Sequence, residues 1–163
     1  MKISFKYILI LFISSFLFSC DWKSGTPSSS DIKNYTSVKP FILYEAGIEG
    51  IYTNHDVDSL VFSYETSIDS PDIFVAQIRK NAANEGWKEI KAEKYYRFDR
   101  IRKWRDEYYI GEEIRIAYLK KTVIVAYVEG DAKQAINSFS EINESKWADI
   151  NIWPMFEKEI TKH

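Results

Sequence analysis

A single cysteine, Cys20, excludes a disulfide within the chain, so any exported domain here is held by packing alone. Only two histidines are present, His55 and His163. They form no H-x-x-x-H pair, and no EF-hand loop occurs. The six glycines build neither a phosphate-cradling loop followed by Lys-Ser/Thr nor a G-x-S-x-G nucleophile elbow. Basic residues are not in excess, at 22 Lys+Arg against 24 Asp+Glu. Broad nucleic-acid binding needs a basic footprint, so it is excluded as a class. A polybasic lipid-binding patch is excluded with it. No apolar run reaches the roughly 20 residues that span a bilayer as a helix.

What is present begins at the N-terminus. Lys2 and Lys6 carry positive charge, and residues 7–18 are apolar except for Ser14 and Ser15. Leu17-Phe18-Ser19-Cys20 follows. The apolar run suits a signal-peptide h-region rather than a spanning helix. No A-x-A-like cleavage site precedes Cys20. A core helix is disfavoured because polar, low-complexity sequence follows at once.

The stretch resembles the signal peptide and lipobox of bacterial lipoproteins. The resemblance implies cleavage before Cys20, a thioether-linked diacylglycerol on its thiol, and a fatty acyl chain of the palmitate class on its new amine. One acyl chain gives marginal anchoring, at roughly 0.8 kcal/mol per buried methylene, whereas two or three hold stably. Asp21 resembles the signal that keeps enteric-type lipoproteins in the inner membrane. The implied location is the cell envelope facing the periplasm, with the inner membrane favoured over the outer.

Removing residues 1–19 removes two lysines and leaves 20 basic against 24 acidic side chains, a formal net charge of −4. Ser24-Gly-Thr-Pro-Ser-Ser-Ser30 reads as a flexible tether. The expected organisation is a cleaved segment 1–19, a lipidated tether 20–38 and one domain 39–163. That domain is long enough and aromatic enough to bury a core.

A short strand is expected near 48–53, followed by a turn at 54–58. Leu60, Phe62, Tyr64 and Thr66 alternate with Val61, Ser63 and Glu65, which predicts a strand with one strongly apolar face. Ser70-Pro71-Asp72 starts a helix, and Gly86 caps it. Phe74, Ile78 and Ala82 form its inward stripe, flanked by Ile73 and Val75. Strand character returns from Trp87 to Phe98. Residues 100–111 read as a basic, aromatic connection. A hairpin is predicted through Ile114, Ile116 and Tyr118, turning at Lys120-Lys121 and returning through Val123, Val125 and Tyr127. A helix over 132–139 and a short one from Pro154 complete the chain. This order, strand(s)-helix-three strands plus a helical tail, predicts an α+β fold: a small antiparallel sheet with one helix packed on a face. The stretch 40–87, with Leu43, Ala46 and Ile51-Tyr52 ahead of the helix, is similar to small envelope lipoproteins.

Candidate sites are few. Asn54, His55, Asp56 and Asp58 read as an Asx-rich turn rather than a metal site. Paired carboxylates such as Glu112 and Glu113 remain an open possibility for acid–base chemistry. Residues 94–109 carry more information. Arg97, Arg100, Arg102, Trp104, Arg105, Tyr108 and Tyr109 combine the residue types enriched at binding hot spots. The same side chains fit a plain hairpin whose arginines snorkel and pair with Asp99, Asp106 and Glu107. Trp147 and Trp153 offer a second aromatic pair, with core packing as the simpler role.

The expectation is a non-enzymatic, lipid-anchored envelope protein with no cofactor, no metal and no nucleic-acid partner. It would bind an envelope protein, either as an accessory subunit of an envelope complex or as an immunity protein. A glycan- or lipid-binding module and a surface-anchored hydrolase are the alternatives.

Overall fold

Chain order runs β1 (Ser24–Gly25), α1 (Ser29–Asn34), a 3-10 turn (Thr36–Phe41), β2 (Glu49–Asn54) and β3 (Ser59–Glu65). It continues through α2 (Pro71–Asn84), β4 (Lys88–Ile90), β5 (Tyr96–Arg105), β6 (Tyr108–Leu119), β7 (Thr122–Asp131) and α3 (Ile152–Ile160). These come from a computed structural model that describes residues 24–43, 47–54, 58–105, 108–131 and 152–163. The strands form one sheet in the order β1-β2-β3-β7-β6-β5-β4, and every pairing is antiparallel. The fold class is α+β. Among the described residues no helix is long and apolar enough to cross a membrane.

Both faces of the central strands are covered. On one face Leu60, Phe62 and Tyr64 of β3 and Val123, Val125 and Tyr127 of β7 pack with Phe74, Ile78 and Ala82 of α2. Ile32, Val38 and Phe41 join that layer from the N-terminal segment. On the other face Val61, Ile124, Ala126 and Val128 pack with Ile152 and Phe156 of α3. The expected single apolar face of β3 is therefore half of the arrangement. Double burial is why its sequence runs Leu-Val-Phe without a break.

α2 follows its sequence signals closely. Pro71 takes the first turn, where its missing N–H costs nothing. At the far end Gly86 adopts φ +79°, and the Trp87 N–H returns to the Ala82 carbonyl at 3.0 Å. That closure folds the Trp87 ring into the core. Ile73 departs from expectation, because it is 63% exposed rather than flanking the buried stripe. It lies one residue before Phe74, on the outer side of the helix. Ser70 occupies the N-cap position without a side-chain capping bond.

Three further expectations need correction. The composition predicts a tether to residue 38, with the domain starting at 39. Instead β1 pairs with β2, α1 is closed by a Ser28–Asp31 capping box, and Ile32 and Val38 are fully buried. Two apolar side chains in the core, each stabilising by about 1.5–3 kcal/mol, outweigh the polar composition around them. The connection expected over 100–111 is a long hairpin of β5 and β6. Four strands, not three, follow α2, because residues 91–95 break the expected 87–98 strand into β4 and β5. Residues 55–57 of the expected 54–58 turn and the expected 132–139 helix lie outside the described residues.

Candidate functional site

The arginines of the 94–109 segment sit on β5, where successive side chains point to opposite faces. Arg97 lies on the α3 face, and Arg100 and Arg102 lie on the α2 face. The expected patch is therefore divided between two clusters, and each is an internal ion-pair network.

On the α2 face Arg100 stands directly opposite Glu112 in the β5–β6 register. Its Nε donates to Glu112 Oε2 at 2.7 Å, one Nη donates to Ser37 Oγ at 3.0 Å, and the other donates to the Glu85 carbonyl at 3.0 Å. The guanidinium also lies 4.5 Å from the centre of the Trp87 ring. Arg100 thus joins the sheet, the 3-10 turn and the C-terminus of α2, where the helix dipole favours a cation. Ser37 donates to Glu112 Oε1 at 2.5 Å. Tyr127 Oη lies 3.0 Å from Glu112 Oε1 and 2.5 Å from Glu129 Oε2. Arg102 Nε approaches Glu112 Oε2 to 3.3 Å as a charge contact, and its Nη2 donates to Glu129 at 3.1 Å.

Burial alone would raise the Glu112 carboxyl. The hydrogen bonds from Arg100 and Ser37 and the two guanidinium charges outweigh it, and hold the group below the usual carboxylate range. Burial beside two carboxylates pushes the Tyr127 phenol far up. Both Glu112 oxygens are engaged by core partners and its side chain is fully removed from solvent, so it faces no substrate.

On the α3 face Arg97 donates to Asp99 at 3.0 and 2.9 Å and lies 3.1 Å from Glu113. Arg115 donates to Glu113 at 2.6 Å and is stacked between Trp153 at 3.6 Å and Tyr95 at 4.9 Å. Here burial outweighs the guanidinium charges, and the Asp99 and Glu113 carboxyls both sit above their usual range. Glu112 and Glu113 are consecutive on β6 and face opposite sides of the sheet. They do not converge as an acid–base pair. Trp153 is half-buried and clamps α3 to the sheet through Arg115.

The remaining patch residues are at the hairpin end. Lys103 is opposite Tyr109, and Arg105 is opposite Tyr108 across a register shift. Trp104 lies within β5 between Lys103 and Arg105. Tyr109 is half-buried and Lys103 is exposed.

A groove of about 580 Å³ opens at the other end of the sheet. β5 pairing stops at Tyr96 opposite Ile116, yet β6 runs on to Leu119. Residues 91–95 swing away from β6 at that point, leaving 117–119 without a β5 partner among the described residues. Lys91 and Lys94 are exposed on the loop side, and Ile160 of α3 closes one end. Sequence reasoning missed this groove, because it arises from a strand that ends three residues early. It also missed Ser37, Tyr127 and Glu129 as partners of the arginines. One signal was available: Glu112 shares parity with Ile110, Ile114 and Ile116, which marks a charge on a buried face.

Among the described residues no group of three His, Cys, Asp or Glu side chains is placed to hold a metal ion. His55, Asp56 and Trp147, together with Cys20 and Asp21, lie outside the described residues. Comparison with protein-family models, with curated proteins and with solved structures returned no match.

Proposed function

We propose that this protein is a lipid-anchored, non-enzymatic binding module of the cell envelope, held by Cys20 and acting by docking a protein partner. The supporting observation is the groove beside residues 117–119. An unpartnered strand segment accepts an extended peptide by main-chain hydrogen bonding, and flanking pockets read its side chains. The groove lining carries Arg79, Lys91 and Lys94 against Glu89 and Glu93, a small excess of positive charge that favours a partner segment carrying acidic residues. Commitment of Arg97, Arg100 and Arg102 to internal carboxylates favours protein docking over an arginine grip on an anionic glycan. Complete burial of Glu112 and the opposed directions of Glu112 and Glu113 weigh against a carboxylate hydrolase. Anchoring raises the effective concentration of the module for other envelope components.

The test is affinity capture from native membranes, comparing the wild type with Lys91→Glu/Lys94→Glu. The charge reversal lies on an exposed loop, so the fold is retained. The expected outcome is loss of one captured protein from the variant. An identical set of captured proteins would sink the groove as the docking site. The anchor has its own test, in which Cys20→Ala abolishes incorporation of labelled fatty acid. Persistent labelling would overturn it.

A further inference from the structure

The open edge beside residues 117–119 offers main-chain hydrogen bonding at one residue. Leu119 and Thr122 are register partners across the turn Lys120-Lys121, so their N–H and C=O groups point at each other. The Thr66 N–H donates to the Lys121 carbonyl at 2.8 Å. Lys121 thus serves β3, and Thr122 serves β6. Direction alternates along β6 as well, so the N–H and C=O of Tyr118 face the side that β5 has left. Tyr118 is firmly placed. Its ring centre lies 4.9 Å from that of Phe74, and its hydroxyl donates to the Ile68 carbonyl at 2.5 Å. Two main-chain bonds at one rigid residue contribute little net affinity. Selection of a partner therefore falls to the side chains on either side.

Those side chains have a fixed order along the edge. Ala117 and Leu119 share the α3 face, with Tyr95 and Ile160 in the same apolar cluster. An extended occupant bonded to Tyr118 turns the side chains before and after its bonded residue onto this floor, because alternate side chains point to opposite faces. Past Leu119 the groove joins a second hollow of about 910 Å³, which shares Tyr118 and Leu119 with it. Asp69, Pro71, Lys120, Lys121, Thr122 and His163 complete its lining. In the first hollow Arg79 is paired with Glu89 at 2.7 Å. The remaining charged side chains are Lys91 and Lys94 against Glu93 at one end, and Lys120 and Lys121 against Asp69 at the other. All six are exposed. Each end thus presents two lysines against one carboxylate side chain, with an apolar floor between.

We infer that the docked segment is an extended stretch of a partner protein with acidic residues at both ends and an apolar-any-apolar centre, and that it crosses the β6–β7 turn to occupy both hollows. Its central residue bonds to the Tyr118 main chain, and its two apolar side chains rest against Ala117, Leu119 and Ile160. Its acidic ends meet Lys91 and Lys94 on one side and Lys120 and Lys121 on the other. Charge complementarity at both ends favours this occupant over a second copy of the chain, which would bring the same lysines against each other. The inference rests on the reading of the 117–119 groove as a protein-docking site and adds to it the chemistry and reach of the partner segment.

The experiment selects phage-displayed random peptides on the full chain held in phosphatidylcholine nanodiscs. The strongest peptide is then synthesised with a benzophenone at its central residue, and its affinity is measured for the wild type, Lys91→Glu/Lys94→Glu and Lys120→Glu/Lys121→Glu. All four lysines are exposed, and matching far-UV circular dichroism checks that each variant is folded. The expected selection is apolar-any-apolar flanked by acids on both sides, with a photoadduct at 117–119. Each double reversal is expected to weaken binding by about tenfold at low salt, and less at high salt. No enriched peptide, or a photoadduct away from 117–119, overturns the docking reading and the inference with it. An adduct at 117–119 with no loss in Lys120→Glu/Lys121→Glu overturns the crossing of the turn and leaves the docking reading standing. An adduct there with peptides that lack acids overturns the acidic chemistry alone. Sedimentation showing a dimer that both reversals dissociate assigns the two hollows to a second copy and overturns the inference.

Discussion

Arg100 and Glu112 face each other across β5 and β6 at 2.7 Å, with the Glu112 side chain fully removed from solvent. The pair occupies a position that an apolar pair fills two residues along, where Phe98 meets Ile114. It is a charged cross-link within the core layer. Through Ser37 and the Glu85 carbonyl it also fixes the N-terminal segment and the end of α2.

Removing one member leaves the other charge buried without compensation. Arg100→Ala is expected to cost about 3–5 kcal/mol, while Arg100→Met/Glu112→Leu costs less than the single change because no orphan charge remains. Lys103→Ala, three residues along the same strand but exposed, is expected to stay within about 0.5 kcal/mol of wild type. Urea denaturation of the purified domain checks all three. An Arg100→Ala variant as stable as Lys103→Ala would contradict the role given to the pair.

The two carboxylate clusters titrate with opposite sign. Burial, only partly offset by Arg97 and Arg115, raises the folded values of Asp99 and Glu113. Such groups contribute stability that is fully present below their unfolded values, about 4, and lost as pH rises through the folded ones. Glu112 is buried too, but Arg100, Ser37 and Arg102 lower its folded value. Its contribution is present above about pH 4.3 and lost as pH falls through that lower value. The expected plot of urea midpoint against pH therefore peaks on the mildly acid side and declines in both directions. Glu113→Gln flattens the limb toward neutral pH, and Glu112→Gln flattens the acid limb. A wild-type midpoint that rises steadily from acid to neutral, with Glu113→Gln running parallel, would refute the assignment.

Gly50 is one point of close contact between the N-terminal segment and the sheet. A Cβ added there would lie 1.9 Å from the Pro27 carbonyl oxygen, a backbone atom with no flexible end to move. Gly50→Ala is expected to destabilise by about 1–3 kcal/mol, as overpacking does. The effect should concentrate in residues 24–28, visible as faster amide exchange there than in β6 and β7. Uniform protection matching wild type would mean that this segment does not pack on β2.

Much of the architecture was legible because local signals and burial agreed. Ser70-Pro71-Asp72 and Gly86-Trp87 mark both ends of α2, since each residue type answers a fixed need of a helix terminus. The strands over 59–65 and 122–131 are dense in β-branched and aromatic residues. The N-terminal segment is opaque in sequence because its serines have the composition of a tether. The informative spacing was Ser28 to Asp31 ahead of Ile32, a capping box whose value depends on a core for Ile32 to enter. The candidate patch is opaque for a related reason. Composition along 97–109 counts arginines, but strand alternation sends Arg97 to one face and Arg100 to the other.

The sequence by itself determined that one cysteine follows a short apolar run, that no disulfide braces the chain, and that strands and a capped helix succeed one another in an α+β order. Those are properties of residue types and their spacing along one dimension. Tertiary structure alone decided which acids meet which arginines, that Ile32 and Val38 belong to the core, and that β5 stops short of the end of β6 to open a groove. Each depends on register between segments distant in the chain, where a shift of one residue exchanges the two faces of the sheet.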